Sequence, residues 1–219
     1  MRIGFDTPFE PFAWVDNGQP RGMLIDLVSA ALDAAGQPHR FEPLALDRSE
    51  HALIHGDVDA LAFKGITPER CAILAFSAPL IDSGAAVFTR PGLVASDNLR
   101  DFAGHTLATP GKGPLAGAIE SDYPEIRLLR VASYRESFEA VLAGRADLAA
   151  LNFHVGMRMA RRDYPGRFSL PDAPCLPVTL ALAARVQGSS PFIARFDEAL
   201  ARIRADSIAQ SIIARWSTA

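Results

Sequence analysis

Lys64, Thr67 and Arg70 stand within one stretch, VDALAFKGITPER, over residues 58–70. Residues of these types at this spacing could hold an anion. Free N–H groups at a helix start attract negative charge. An Arg in the first turn can grip a carboxylate through two parallel hydrogen bonds, and Lys64 adds a second cation beside it. The run at 58–63 is apolar apart from Asp59 and follows a Gly turn, so it reads as a buried strand. Thr67-Pro68-Glu69 then supplies a cap, a residue suited to the first helical position, and an acid that complements the helix dipole. The same residues also describe an ordinary capped helix with a solvated Arg, and at this level both readings stand.

Around this stretch the chain reads as alternating strands and helices. RIGFD at 2–6 is a strand, followed by the aromatic and Pro-rich TPFEPFAW at 7–14 and a turn signal at 17–20. Apolar residues at 24, 25, 27, 28, 31, 32 and 35 have a helical period that Gly36 stops. A strand is expected at 41–46, a short helix at 49–55 before Gly56, a helix continuing over 70–76, and a strand at 84–89. The second half gives strands at 105–109, 126–131, 147–151 and 177–184. Its helices are expected at 115–120, 133–142, 153–162, 190–205 and 208–216. The order β-α-β-α-β thus occurs twice, which implies two α/β lobes. ALIHGDVD at 52–59 and AVLAGRAD at 140–147 repeat Ala, Gly and Asp in register, as two similarly built halves would. In open α/β sheets ligands sit beyond the carboxyl ends of the strands. Those ends are Asp6 and Thr7, Lys64 to Thr67, Lys112 and Asn152, so both lysines of the chain fall at such ends.

The composition excludes several classes. The chain has 219 residues, 49% hydrophobic and 21% charged, as ordinary globular proteins do. A net charge of −3 gives no footprint for nucleic acid. No apolar run approaches the roughly 20 residues of a membrane span. Met1 is followed at once by a strand-like segment without a signal peptide, so a cytoplasmic protein or one whose leader has been removed is expected. Cys71 and Cys175 are expected to be free thiols, and no metal motif is present.

The chain resembles the periplasmic solute-binding proteins of ABC importers, amino-acid-binding type (bacterial extracellular solute-binding protein family 3). The resemblance covers nearly the whole chain. It rests on Asp6 with Phe9, Pro11 and Phe12; Gly22 and Asp26-Leu27; Gly56 and Asp59; ITPER at 66–70; and FSAP at 76–79. Gly104, Thr106, the Gly111 loop, Gly144 with Asp147, and IARW at 213–216 continue it. It implies an α/β two-lobed Venus-flytrap of the periplasmic binding protein type II, with two open sheets joined by a two-strand hinge. Residues 1–88 plus 180–219 would form lobe 1 and 91–178 lobe 2, with hinge strands near 85–90 and 178–184. Ligand would close the lobes on an interlobe cleft, and the closed form, a periplasmic monomer, would dock on ABC permease subunits.

The resemblance also implies site residues. Arg70 would bind a ligand's α-carboxylate, Phe9 or less closely Trp14 would pack on the ligand, and Asp6 would contact it. Gly65, Thr67, Lys112, Gly113 and Asn152 complete the expected ligand-binding set. The chain departs from the pattern in reading KGIT before the helix, in carrying Lys112 in the second-lobe glycine loop, and in having Asn152 where relatives place an Asp for the ammonium. The pocket is therefore expected to be cationic and to suit a small acid, such as a dicarboxylate, or a modified amino acid better than a plain zwitterion. Lys-to-Met changes at 64 and 112 are expected to weaken binding. No cofactor, metal or nucleic acid is implied. The alternatives are an enzyme of the cyclohexadienyl dehydratase type on the same scaffold, or a sensor or accessory domain that regulates a partner.

Overall fold

A computed structural model describes residues 1–93, 96–111 and 114–217. In chain order its elements are β1 (Arg2–Asp6), β2 (Trp14–Asp16), β3 (Gln19–Arg21), α1 (Met23–Ala34), β4 (Arg40–Leu44), α2 (Ser49–His55), β5 (Ala60–Gly65), α3 (Pro68–Cys71), β6 (Leu74–Phe76) and β7 (Ile81–Thr89). A 3₁₀ turn (Leu99–Phe102) leads into β8 (Thr106–Pro110), α4 (Pro114–Asp122), β9 (Arg127–Val131), α5 (Tyr134–Leu142), β10 (Leu148–Asn152) and α6 (Phe153–Asp163). β11 (Leu176–Arg185), α7 (Ser190–Ala205) and α8 (Ile208–Ser217) end the chain. The chain divides into two compact lobes. Lobe 1 comprises Met1–Asp82 and Thr179–Ala219, and lobe 2 comprises Ser83–Val178.

In lobe 1, β1 pairs in parallel with both β4 and β5, and β11 pairs antiparallel with β5. β1 and β5 are buried on both faces (the consecutive residues Ile3, Gly4 and Phe5, and Ala60 to Phe63, are all covered), which is why they read as continuous apolar runs. The apolar stripe of α1, with Leu24, Leu27, Val28, Ala31 and Leu32 buried, covers that sheet. Lobe 2 repeats the plan. β8 pairs in parallel with β9 and β10, and β7 pairs antiparallel with β10. Phe88, Phe138 and Phe168 centre one of its cores, and Leu107, Ile119 and Leu148 belong to another.

One local expectation is corrected, and one turn signal is borne out. The helix expected over 70–76 is only the four residues of α3, because Leu74–Phe76 pairs antiparallel with Ala183–Arg185 and buries Leu74. A long-range ladder overrides local propensity there. The turn signal at 17–20 is the tip of a hairpin between β2 and β3: Asn17 and Gly18 both have positive φ (49° and 77°), the conformation a two-residue hairpin loop needs.

The repeated segment has one structural meaning in both lobes. α2 ends at Gly56 with φ 83°, and α5 is followed by Gly144 with φ 74°, left-handed positions that suit Gly. Each chain then turns to an Asp that pins the start of the neighbouring strand. Asp59 Oδ2 accepts from the Arg2 backbone N–H at 2.7 Å, and Asp147 Oδ2 from the Thr106 backbone N–H at 2.8 Å.

Candidate functional site

The carboxyl ends of β1 and β5 place Asp6 and Lys64 beside each other, since the two strands are hydrogen-bonded neighbours in parallel. The Lys64 Nζ lies 2.7 Å from Asp6 Oδ2, and both side chains are almost fully covered, at 4% and 5% exposure. Burial pushes the Asp6 carboxyl above the usual carboxylate range, while the Lys64 ammonium, the Ser49 hydroxyl and the Arg70 guanidinium pull the other way. Asp6 Oδ1 has no hydrogen-bond partner among the described residues.

Two residues beyond β5, Thr67 adopts an extended conformation and caps α3. Its Oγ1 accepts from the Arg70 backbone N–H at 3.3 Å, and Pro68 opens the helix. The cap fixes where Arg70 leaves the backbone. The Arg70 guanidinium is then held by donating from Nη1 to the Gly65 carbonyl (3.2 Å), and from Nε (2.9 Å) and Nη2 (2.6 Å) to Glu50 Oε1. Its other N–H groups have no acceptor among the described residues, so part of the planar fork is left to take a carboxylate. Glu50 Oε1 also lies 3.9 Å from Lys64 Nζ. Asp6, Lys64, Glu50 and Arg70 therefore form a run of alternating charge at the strand ends of lobe 1, graded from buried Asp6 to a Glu50 side chain that is 34% exposed.

This run corrects the expectation of a cationic pocket as far as lobe 1 is concerned. Lys64 is buried on Asp6 rather than offered to a ligand, and Arg70 already faces one carboxylate. The two cations are matched by two acids. The other cation invoked for that expectation, Lys112, lies outside the described residues, as does Gly113.

The structure gathers Asp6, Lys64, Gly65, Thr67 and Arg70, with Phe9 close by. Phe9 is half-buried and stacks on Phe63, the residue before Lys64, with ring centroids 5.9 Å apart and planes 18° from parallel. Trp14 is placed with α8, edge-on to Trp216 at 5.3 Å. There Asp26 Oδ2 accepts from Trp216 Nε1 (2.9 Å) and Arg215 Nη2 (2.7 Å), which joins two distant landmarks of the sequence.

Glu50 was not legible as a site residue. It stands in the first turn of α2, twenty positions before Arg70, where sequence shows only an acid at a helix start. The sole signal for it is topological: α2 follows β4, which neighbours β1, so its first turn comes to the same sheet end.

In lobe 2 the equivalent strand, β10, ends in a neutral residue. Asn152 closes β10 and caps α6, its Oδ1 accepting from the Val155 backbone N–H at 3.2 Å. Its Nδ2 donates to Ser83 Oγ at 3.0 Å, and Ser83 Oγ lies 3.1 Å from His154 Nδ1. Burial holds the His154 imidazole below its usual range. The thiols stand apart in role: Cys71 is exposed, while burial pushes Cys175 up to about 11, so it stays protonated.

Comparison with known proteins gives this geometry a family. The Bordetella bronchiseptica virulence sensor protein BvgS is 23% identical over 179 residues, a match that covers 80% of this chain but only 14% of that protein's length. A histidine kinase sensor domain with similarity to periplasmic binding proteins superposes with a TM-score of 0.88 at 25% identity, covering 99% of this chain and 95% of that one. The GluR0 ligand-binding core from Nostoc punctiforme, solved in complex with L-glutamate, gives a TM-score of 0.83 at 21% identity over 98% of each chain. These neighbours carry the two-lobed α/β Venus-flytrap fold. The model of the bacterial extracellular solute-binding proteins, family 3, matches residues 1–219, and this chain belongs to that family.

Proposed function

We propose that this solute-binding protein holds a small amino-acid-like ligand by its carboxylate at Arg70. The observation that carries the reading is the guanidinium itself. It is aimed by the Thr67 cap, held on the Gly65 carbonyl and Glu50, and keeps unassigned N–H groups beside the strand ends where α/β ligands bind. Phe9, stacked on Phe63, offers an apolar wall beside it. The neighbour that holds L-glutamate supports an amino acid, and the balanced charges of lobe 1 favour a zwitterion over a plain acid. In a family of solute-binding proteins the dehydratase reading falls away.

Two outputs fit such a domain, working in the periplasm. The curated relatives and the histidine kinase sensor domain favour sensing, in which the bound solute biases a signalling partner. Delivery to ABC permease subunits by a monomeric carrier is the second reading, and family membership supports it. Deletion of the gene separates them: lost uptake of the labelled solute supports delivery, and intact uptake with a lost transcriptional response supports sensing.

Ligand binding is tested by thermal shift and calorimetry against the common L-amino acids, starting with L-glutamate. A ligand at a hundredfold excess over its Kd should stabilise the fold by roughly 2.7 kcal/mol. Arg70→Met should abolish that gain while leaving the circular dichroism unchanged. Binding that survives Arg70→Met would place the ligand elsewhere.

A further inference from the structure

The charge run of lobe 1 contains an acid that is only half engaged. Asp6 is buried and neutralised by Lys64. Glu50, in contrast, is 34% exposed and uses a single oxygen, Oε1, for all its contacts: the Nε and Nη2 groups of Arg70 and, at 3.9 Å, the Lys64 ammonium. Its Oε2 has no partner among the described residues. The lobe thus presents a guanidinium with spare donors and a carboxylate with a spare acceptor, side by side.

That arrangement treats ligands unequally. A simple carboxylate placed on the remaining N–H groups of Arg70 is brought beside the Glu50 carboxylate. Lys64 cannot compensate, because Asp6 already holds it. Two carboxylates sharing one cation repel, so such a ligand is held less tightly there. An α-amino acid carries its own cation on the carbon next to its carboxylate. Its carboxylate can take Arg70 while its ammonium takes the free oxygen of Glu50, which closes a ring of four alternating charges with no unmatched one. Asn152 in lobe 2 supplies no charge for an ammonium, and its Oδ1 is engaged in capping α6.

We infer that Glu50 is a specificity-determining residue: it accepts the ammonium of a ligand whose carboxylate lies on Arg70, and it disfavours carboxylates that lack one. This rests on the reading of Arg70 given above. It makes lobe 1 sufficient to recognise both ends of a zwitterion.

The test compares each L-amino acid with the same carbon skeleton lacking its amino group, on the full chain. L-Glutamate against glutarate and L-leucine against 4-methylpentanoate serve as probes, with wild type, Glu50→Gln and Arg70→Met measured by calorimetry. In wild type the amino acid should bind at least tenfold more tightly than its partner. Glu50→Gln keeps the shape and removes the charge. It should weaken the amino acid about tenfold, strengthen the des-amino acid several-fold, and so bring the two together. Should the amide variant fail to fold, Glu50→Asp retains the charge but draws it back, and should narrow the ratio in the same sense. A ratio unchanged in Glu50→Gln, or a gain for both ligands alike, overturns the role of Glu50 while loss of binding in Arg70→Met still upholds the site. Binding unaffected by Arg70→Met, or no binding of any probe to wild type or Glu50→Gln, overturns both.

Discussion

In lobe 1 the central parallel strand ends at Lys64-Gly65, and a short loop leads to a helix capped by Thr67. In lobe 2 the equivalent strand ends at Asn152, which is itself the cap of the next helix. Both caps receive the backbone N–H three residues on, Arg70 in one lobe and Val155 in the other. The scaffold is the same and the chemistry is not. A guanidinium leaves the capped turn in lobe 1, whereas an apolar side chain leaves it in lobe 2 and is buried. α3 has four residues, none of them buried, while α6 has eleven and packs Val155, Gly156 and Ala160 inward. The comparison teaches that one turn can be built to display a charge or to anchor a helix. Here the lobe with the displayed charge also carries the acids that balance it.

The widest gap between the lobes is the buried ion pair, and Lys64→Met should break it. Removing one partner leaves Asp6 as an uncompensated buried charge, a loss of about 3–5 kcal/mol by urea denaturation. Burial already raises the Asp6 carboxyl. The contribution of a group raised in this way is intact below the usual carboxylate range and is lost as pH rises through its folded value. The penalty of Lys64→Met should therefore be smallest in acid and grow toward neutral pH. The paired change Asp6→Leu with Lys64→Met should recover much of the loss. A Lys64→Met protein as stable as wild type at neutral pH would show that Asp6 is not the partner that keeps Lys64 buried.

The feature shared by the lobes gives a matched pair of smaller effects. Asp59→Ala and Asp147→Ala each strand a backbone N–H at the start of the neighbouring strand, for a loss of about 1–3 kcal/mol. The hydrogen bond from Arg2 holds the Asp59 carboxyl below its usual range, so its contribution is present above the unfolded value and fades as pH falls through the folded one. Losses of similar size would confirm that the repeated segment does the same work twice. A large effect in one lobe alone would break the equivalence.

Much of this was legible in sequence because it is local or periodic. The stripe of α1, the Gly stops at Gly56 and Gly144, and the cap at Thr67 depend on neighbours within a turn or two. The repeat of Ala, Gly and Asp marked the two halves because helix, left-handed stop and pinned strand must come in that order. The paired charges were illegible for the opposite reason. Lys64 looks like a free cation at a strand end until Asp6, 58 positions earlier, is brought beside it. Glu50 looks like a dipole-matching acid until the sheet order puts it against Arg70. Leu74–Phe76 reads as helix until β11 returns from more than a hundred positions later to pair with it. Charges and edge strands take their meaning from partners that only the topology supplies.

The two caps offer the finest test, because the same substitution should act on different properties in the two lobes. A cap lost to Ala costs typically about 1 kcal/mol. Asn152→Ala removes the cap of a well-packed helix and the donor to Ser83 Oγ, so it should reach the upper part of the range, about 2 kcal/mol, in global stability. Thr67→Ala removes the cap of a four-residue helix with no buried side chain, so α3 can loosen without unfolding the lobe. Its global cost should stay below about 1 kcal/mol. The larger consequence is the aim of Arg70, because the backbone that carries it loses its anchor. Thr67→Ala should then weaken amino-acid binding several-fold in calorimetry at nearly unchanged stability. The reverse pattern, a stability loss in Thr67→Ala with affinity intact, would mean that Glu50 and the Gly65 carbonyl alone suffice to hold the guanidinium. In that event the cap would be scaffold in both lobes, and the difference between them would lie wholly in the side chains that follow it.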